Sequence, residues 1–184
     1  MELDDIRSTA RSYFDEEMSP AHDWHHVQRV EGLAETLLDR YEQADGRVVR
    51  LAVLLHDVGR AREDRGDAVC HAIRVHRYST DREPETIEAE ILCDADNLDA
   101  LGAVGVARCF TYGGELGTTI HDPHLPPEDD DTPAGETQYN HFHKKILRLP
   151  DRMYTDRGRE LAADRRAFVE TFLDRFDREV AGER

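Results

Sequence analysis

Lysine is nearly missing from this chain of 184 residues: it stands only at Lys144 and Lys145, so the basic side is almost wholly arginine. Against 24 basic residues there are 40 acidic ones, a formal net charge of -16. A surplus of that sign disfavours sequence-independent binding to nucleic-acid phosphates, so no nucleic-acid partner is expected. Cysteine is also scarce. Cys70, Cys93 and Cys109 are odd in number and form no Cys-x-x-Cys pair, which argues against a disulfide framework or a zinc knuckle and for buried thiols. No apolar run approaches the roughly 18 residues of a membrane span. The opening Met1-Glu2-Leu3-Asp4-Asp5 is acidic and lacks the basic and apolar regions of a secretory leader. The expected location is the cytoplasm, with no membrane partner.

What is abundant is charge. Charged residues make up 35% of the chain and hydrophobic ones 39%, against averages of about 25% and about 45–50% with glycine included. Acid in such excess suggests a halophilic, salt-rich cytoplasm, where the Debye length contracts to about 3 Å at 1 M and self-repulsion is screened. The length suits one domain with a sizeable core.

Helical periodicity dominates, with no internal repeat and no convincing strand pattern. Ile6, Ala10, Tyr13 and Phe14 mark a first helix; Val27, Val30, Leu33, Ala34, Leu37, Leu38 and Tyr41 mark a second. Ser19-Pro20 fits an N-cap and first turn for the second helix, unless the turn at His22-Asp23 delays it. After Asp45-Gly46, residues 48–58 are apolar on more than one face, the pattern of a helix buried on most sides at the centre of the fold. Further helices are expected over about 67–78, from Ile87 into Asp94-Ala95-Asp96, over about 138–149 and over about 156–180. Gly102, Gly105, Gly113 and Gly114 are expected to loosen the chain. Residues 112–137, rich in Gly and Pro and carrying Glu128-Asp129-Asp130-Asp131, read as a long, mobile or lid-like loop. The expected fold is therefore all-α, one bundle over 1–184.

Four residues carry the chemistry: His26 on the second helix, His56-Asp57 at the end of the buried third, and Asp96 at the end of the fifth. Ionisable groups closing an apolar helix are costly to bury without partners or a metal. Two imidazoles and two carboxylates form a mixed nitrogen and oxygen set suited to Mn²⁺, Fe²⁺, Co²⁺, Ni²⁺ or Zn²⁺, with Mg²⁺ less natural. A six-coordinate ion would keep two positions for water and a substrate oxygen, which suits hydrolysis. Asp94 and Asp99 compete with Asp96 for the last ligand position.

The order His26, then His56-Asp57, then Asp96 resembles the H…HD…D pattern of the HD-domain metal-dependent phosphohydrolases. The likeness extends through Ala21-His22-Asp23-Trp24-His25-His26, Leu54-Leu55-His56-Asp57-Val58-Gly59, Asp94-Ala95-Asp96-Asn97-Leu98-Asp99 and His141-Phe142-His143-Lys144-Lys145. In these stretches the chain is similar to one group within that superfamily, the YedJ/YpgQ-like proteins. The resemblance implies an all-helical HD fold, one divalent ion (Mn²⁺ foremost) and, as in some relatives, hydrolysis of nucleoside triphosphates to monophosphate and pyrophosphate by water activated at the ion. It selects Asp96 as the last ligand, by the Ala-Asp-x-Leu motif. Arg60 stands where HD proteins often carry another residue, so a local phosphate contact differs here.

Around the ligands, Arg29 shares the face of His26 and has the fork to grip a phosphate; the plain alternative is a surface ion pair. His76, matching the histidine that follows HD in this group, is a candidate phosphate contact or general acid, or else a satisfied helix-end residue. Lys144 is the candidate phosphate contact of the His-Phe-x-x-Lys pattern, or an exposed charge. Asp57 doubles as a catalytic residue that positions the attacking water. His22 and Asp23 are candidates to orient His26, Asp23 equally to cap the helix, and His25 should face solvent. The expected partner is a small phosphorylated molecule, foremost a nucleotide. The competing readings are a 5′-nucleotidase-like monophosphatase with the same ligands, a di-iron oxygenase drawing on His71 and His76, and a non-catalytic nucleotide-binding module. Base, sugar and oligomeric state are not written in these motifs.

Overall fold

A computed structural model describes residues 2–14, 23–58, 68–76 and 82–183, and every regular element among them is helical. The chain divides into two compact units, Met1–Asp99 with Met153–Gly158, and Ala100–Arg152 with Arg159–Arg184.

The first unit holds α1 (Leu3–Arg11), α2 (Trp24–Leu38), α3 (Gly46–Leu55), α4 (Ala68–Val75) and α5 (Ile87–Asp99). Side chains recurring every three or four residues share a helix face, and on α2 these are Val27, Val30, Ala34 and Leu37, all buried. The apolar run of α3 sinks Val49, Ala52, Val53 and Leu54, and this helix packs against α1, α2, α4 and α5. Helix α5 packs against α2, α3 and α4, which leaves nine of its 13 residues buried. Helix starts follow their caps. Asp23 accepts from the His26 backbone N–H at 2.8 Å and so opens α2 at Trp24; Asp45 accepts from Arg47 and Val48 and opens α3. The alternative start at Ser19-Pro20 lies outside the described residues. Arg50 grips Glu35 through Nε (2.6 Å) and Nη2 (2.7 Å), joining α3 to α2.

Asp94 does a structural task on α5. Its fully buried carboxylate accepts from the backbone N–H of Tyr154 (2.9 Å) and Thr155 (2.8 Å) and from Thr155 Oγ1 (2.6 Å), tying the strap Met153–Gly158 to the helix. A side chain at Gly158 would collide with that carboxylate. Thr155 Oγ1 also accepts from Gly158 N–H at 2.9 Å, at the start of α8 (Asp156–Val180).

The second unit contains α6 (Gly102–Leu116), α7 (Gln138–Lys144), a 3-10 helix (Ile146–Arg152) and the body of α8. Two expectations are corrected here. The glycines do not loosen the chain: α6 runs through them to Leu116, and the loop starts only after the left-handed Gly117 (φ 68°). Gly113 is there for packing, because a Cβ would run into the Gln138 side chain. The helix expected over 138–149 breaks at Lys145 and continues as the 3-10 turn, since Pro150 cannot donate to a residue four back and its ring crowds that carbonyl.

The acidic loop is organised around Asp130. That buried carboxylate accepts from Thr132 N–H (2.9 Å), Glu136 N–H (2.8 Å) and Asn140 Nδ2 (2.7 Å), and these donors hold it well below the usual carboxylate range against the opposing effect of burial. Phe110, Phe142 and Phe172 meet with ring centroids 5.6–6.0 Å apart and form the aromatic core of this unit. Among the described residues no helix is long and apolar enough to cross a membrane.

Burial pushes the thiols of Cys93 and Cys109 up to about 12, with the Asp94 and Asp96 carboxylates adding to the effect on Cys93. Because the thiolate is the reactive form, a thiol reagent at pH 8 should label the native protein only at the half-buried Cys70, and at all three cysteines after denaturation. Peptide mapping of the labelled protein checks this; fast native labelling of Cys93 or Cys109 would contradict the packing described.

Candidate metal centre

Local structure delivers each side chain of the first unit to one point. The Asp23 cap sets His26 in the first turn of α2, His56 is the C-cap residue of α3 with Asp57 next to it, and Asp96 lies one turn from the end of α5. The two imidazoles meet edge to face with centroids 5.2 Å apart, and their Nε2 atoms stand 3.2 Å from one another. Asp96 Oδ1 lies 3.3 Å from His26 Nε2, and Asp57 Oδ2 lies 3.5 Å from His56 Nε2 and 3.7 Å from His26 Nε2. His26, His56 and Asp96 each bring a ligand atom within 4.8 Å of the others. Both histidines and Asp57 are buried, whereas Asp96 keeps 23% of its side-chain surface exposed, so the cluster opens to solvent on its side.

The hydrogen bonds decide what these atoms can do. His56 Nδ1 faces Val53 O at 2.6 Å and must donate to it; His26 Nδ1 faces Asp99 Oδ2 at 2.8 Å and donates likewise. With the proton on Nδ1, each neutral ring offers a lone pair at Nε2. Burial lowers the pKa of His56 despite the carboxylates of Asp57 and Asp96, which keeps the ring neutral. Two nitrogen lone pairs and the Asp96 carboxylate thus converge, with Asp57 Oδ2 beside both nitrogens, and a donor set of this kind fits a divalent ion of the Mn²⁺ to Zn²⁺ series.

The three aspartates of α5 part company by their partners. Asp94 is committed to the strap, Asp99 to His26 and Arg29, and Asp96 alone joins the ligand cluster. His76 stands beside the cluster, its ring 5.3 Å from that of His56, with Nδ1 turned to Ile73 O at 2.5 Å. Arg29 meets Asp99 rather than open solvent. Lys144 belongs to the second unit, where Nζ donates to the carbonyls of Asp130 and Thr132, the latter at 3.0 Å. Asp23 caps the His26 backbone N–H; His25 is exposed and bonded to Gln28 at 3.2 Å. His22 and Arg60 lie outside the described residues. Sequence reasoning missed the carbonyls of Val53 and Ile73, which fix the histidine tautomers. Their common signal is a histidine three residues beyond, at a helix end.

The HD domain family profile matches residues 23–67. The Bacillus subtilis protein YpgQ is 33% identical over 98% of this chain and 95% of its own. The chain belongs to the HD-domain hydrolase superfamily. The fold of this HD hydrolase is shared by a Lactobacillus plantarum protein (TM-score 0.82, 29% identity, 98% and 97% of the two chains). A Bacillus thuringiensis HD-superfamily hydrolase matches at TM-score 0.76 and 29% identity over the same shares. The structure of YpgQ in complex with ADP matches at TM-score 0.77 and 32% identity, covering 98% of this chain and 99% of that one.

Asp94 and Asp96, two residues apart, should behave oppositely. Asp94→Ala strands three donors in the core and should cost about 3 kcal/mol or more in denaturant unfolding, while Mn²⁺ still stabilises the variant. Asp96→Ala should change metal-free stability by less than about 1 kcal/mol. It should also forfeit the gain of about 2.7 kcal/mol expected when Mn²⁺ is at a hundred times its Kd.

Proposed function

We propose that this HD hydrolase cleaves nucleotides, taking nucleoside triphosphates to monophosphate and pyrophosphate with Mn²⁺ as the preferred ion. The observation that carries the reading is the convergence of the His26 and His56 Nε2 lone pairs, 3.2 Å apart, with the Asp57 and Asp96 carboxylates. A divalent ion held by these four residues would polarise a phosphoryl oxygen and lower the pKa of a coordinated water. The nucleotide class is supported by YpgQ, a relative across the whole chain whose structure holds ADP.

The chain's own groups divide the remaining work. Asp57 is buried beside both histidines, where its carboxylate can take a proton from the attacking water and hold that water in line. In the net reaction the water oxygen bonds to the α-phosphorus, the bond from that phosphorus to the bridging oxygen breaks, and pyrophosphate leaves. His76 has its Nδ1 proton committed to Ile73 O, so only Nε2 is available to the substrate, and it can donate to a leaving oxygen only as the imidazolium. The partly exposed Asp96 marks the open side on which a phosphorylated substrate can approach. Neither base nor sugar enters this chemistry, because all the groups named act at phosphorus.

Incubation with a panel of nucleoside tri- and monophosphates and Mn²⁺, at low and high salt, tests the reading when phosphate and pyrophosphate are resolved as separate products. Pyrophosphate from triphosphates is expected, falling to background in His56→Ala and in Asp57→Ala. Phosphate from monophosphates instead would make the protein a 5′-nucleotidase-like enzyme. An Mn²⁺-loaded protein that turns over no member of the panel would sink the nucleotide assignment.

A further inference from the structure

His26 and Arg29 lie three residues apart on α2, and both converge on the last residue of α5. Asp99 is buried, with 2% of its side-chain surface exposed. Its Oδ2 accepts from His26 Nδ1 at 2.8 Å, while Arg29 meets Oδ1 through Nε at 2.7 Å and Oδ2 through Nη2 at 3.1 Å. A buried carboxylate is expensive to keep charged, and a guanidinium is the side chain best shaped to compensate it, because its rigid fork matches the two oxygens. The bidentate grip also fixes the plane of the carboxylate. That plane in turn sets the direction of the His26 ring and keeps its proton on Nδ1, which leaves Nε2 as the lone pair facing the ligand cluster.

We propose that Arg29 is a positioning residue of the metal centre, acting through Asp99 to hold the His26 ring in its ligating tautomer and orientation, and not primarily a contact to substrate phosphate. Two of its donors are spent on Asp99, and its side chain is only 33% exposed. The inference rests on the metal-centre reading above. It assigns the Arg29 fork a role on the protein side of the ion.

Calorimetric titration of Mn²⁺ into wild-type protein, Arg29→Met, Arg29→Lys, Asp99→Asn and the Arg29→Met/Asp99→Asn double variant, all without substrate, tests it. Folding is checked by circular dichroism, and Arg29→Lys retains the charge that Asp99 needs should Arg29→Met fold poorly. Mn²⁺ binding is expected to weaken by about 10–100-fold in Arg29→Met, the usual cost of losing a group that orients a metal ligand. Arg29→Lys, with charge but no fork, should recover part of the loss. The double variant should bind no worse than Asp99→Asn alone, because both changes cut the same chain of contacts. At saturating Mn²⁺ the KM for a triphosphate should match wild type. Equal Mn²⁺ affinity in wild type, Arg29→Met and Arg29→Lys overturns the proposal, as does unchanged affinity with a raised KM, which would make Arg29 a phosphate contact. Failure of the wild-type protein itself to bind Mn²⁺ is a separate result, and it overturns the metal-centre reading together with this one.

Discussion

Among the described residues of the first unit, each buried imidazole gives its Nδ1 hydrogen to an oxygen of the protein: His26 to Asp99, His56 to Val53 O, His76 to Ile73 O. An imidazole has one proton and one lone pair to distribute when neutral, so committing the proton commits the lone pair. The centre depends on that constraint. Helix packing brings the rings within about 5 Å of one another, but proximity alone would leave their donor and acceptor edges undetermined. Two of the three acceptors are carbonyls one helical turn back, supplied by helices that end at the histidine and therefore need no further residue. His26, in the first turn of its helix, gives its Nδ1 hydrogen to a carboxylate from α5 instead.

This division explains which parts of the site could be read from the sequence. The residues that gather, His26, His56, Asp57 and Asp96, stand out because ionisable side chains interrupt apolar helices, and because their order matches a known pattern. Asp94 and Asp99 are equally acidic and within three residues of Asp96; only the resemblance, through Ala95-Asp96-Asn97-Leu98, singles out Asp96, and nothing local tells what the other two do. Their roles follow from what arrives from elsewhere in the chain: the strap at Tyr154 and Thr155 for Asp94, α2 for Asp99. Long-range partners of this kind leave no periodicity. The helices themselves were legible where an apolar face repeats, as in α2 and α8. Composition misled where glycine served packing instead of freedom, as at Gly113 beneath Gln138, and where Pro150 changed the kind of helix instead of merely ending it.

Charge is distributed with similar economy. The surface carries most of the acid, as exposed pairs such as Arg175 with Glu179 show, and such pairs add little to stability singly. The acidic side chains that shape the molecule are few and buried: Asp94, Asp99 and Asp130, each meeting several donors. A high net charge and a well-satisfied interior are thus compatible, because the carboxylates that matter structurally are removed from the pool that repels.

The tie from Asp94 to Thr155 spans 61 residues of chain. All four candidate ligands lie within the first 96 positions, so on a ribosome they are made long before the strap that completes their own unit. Until residues 153–158 emerge, the Asp94 carboxylate on α5 is without the backbone donors it meets in the folded chain. The candidate ligands are therefore complete in the chain before the residues that latch their last helix.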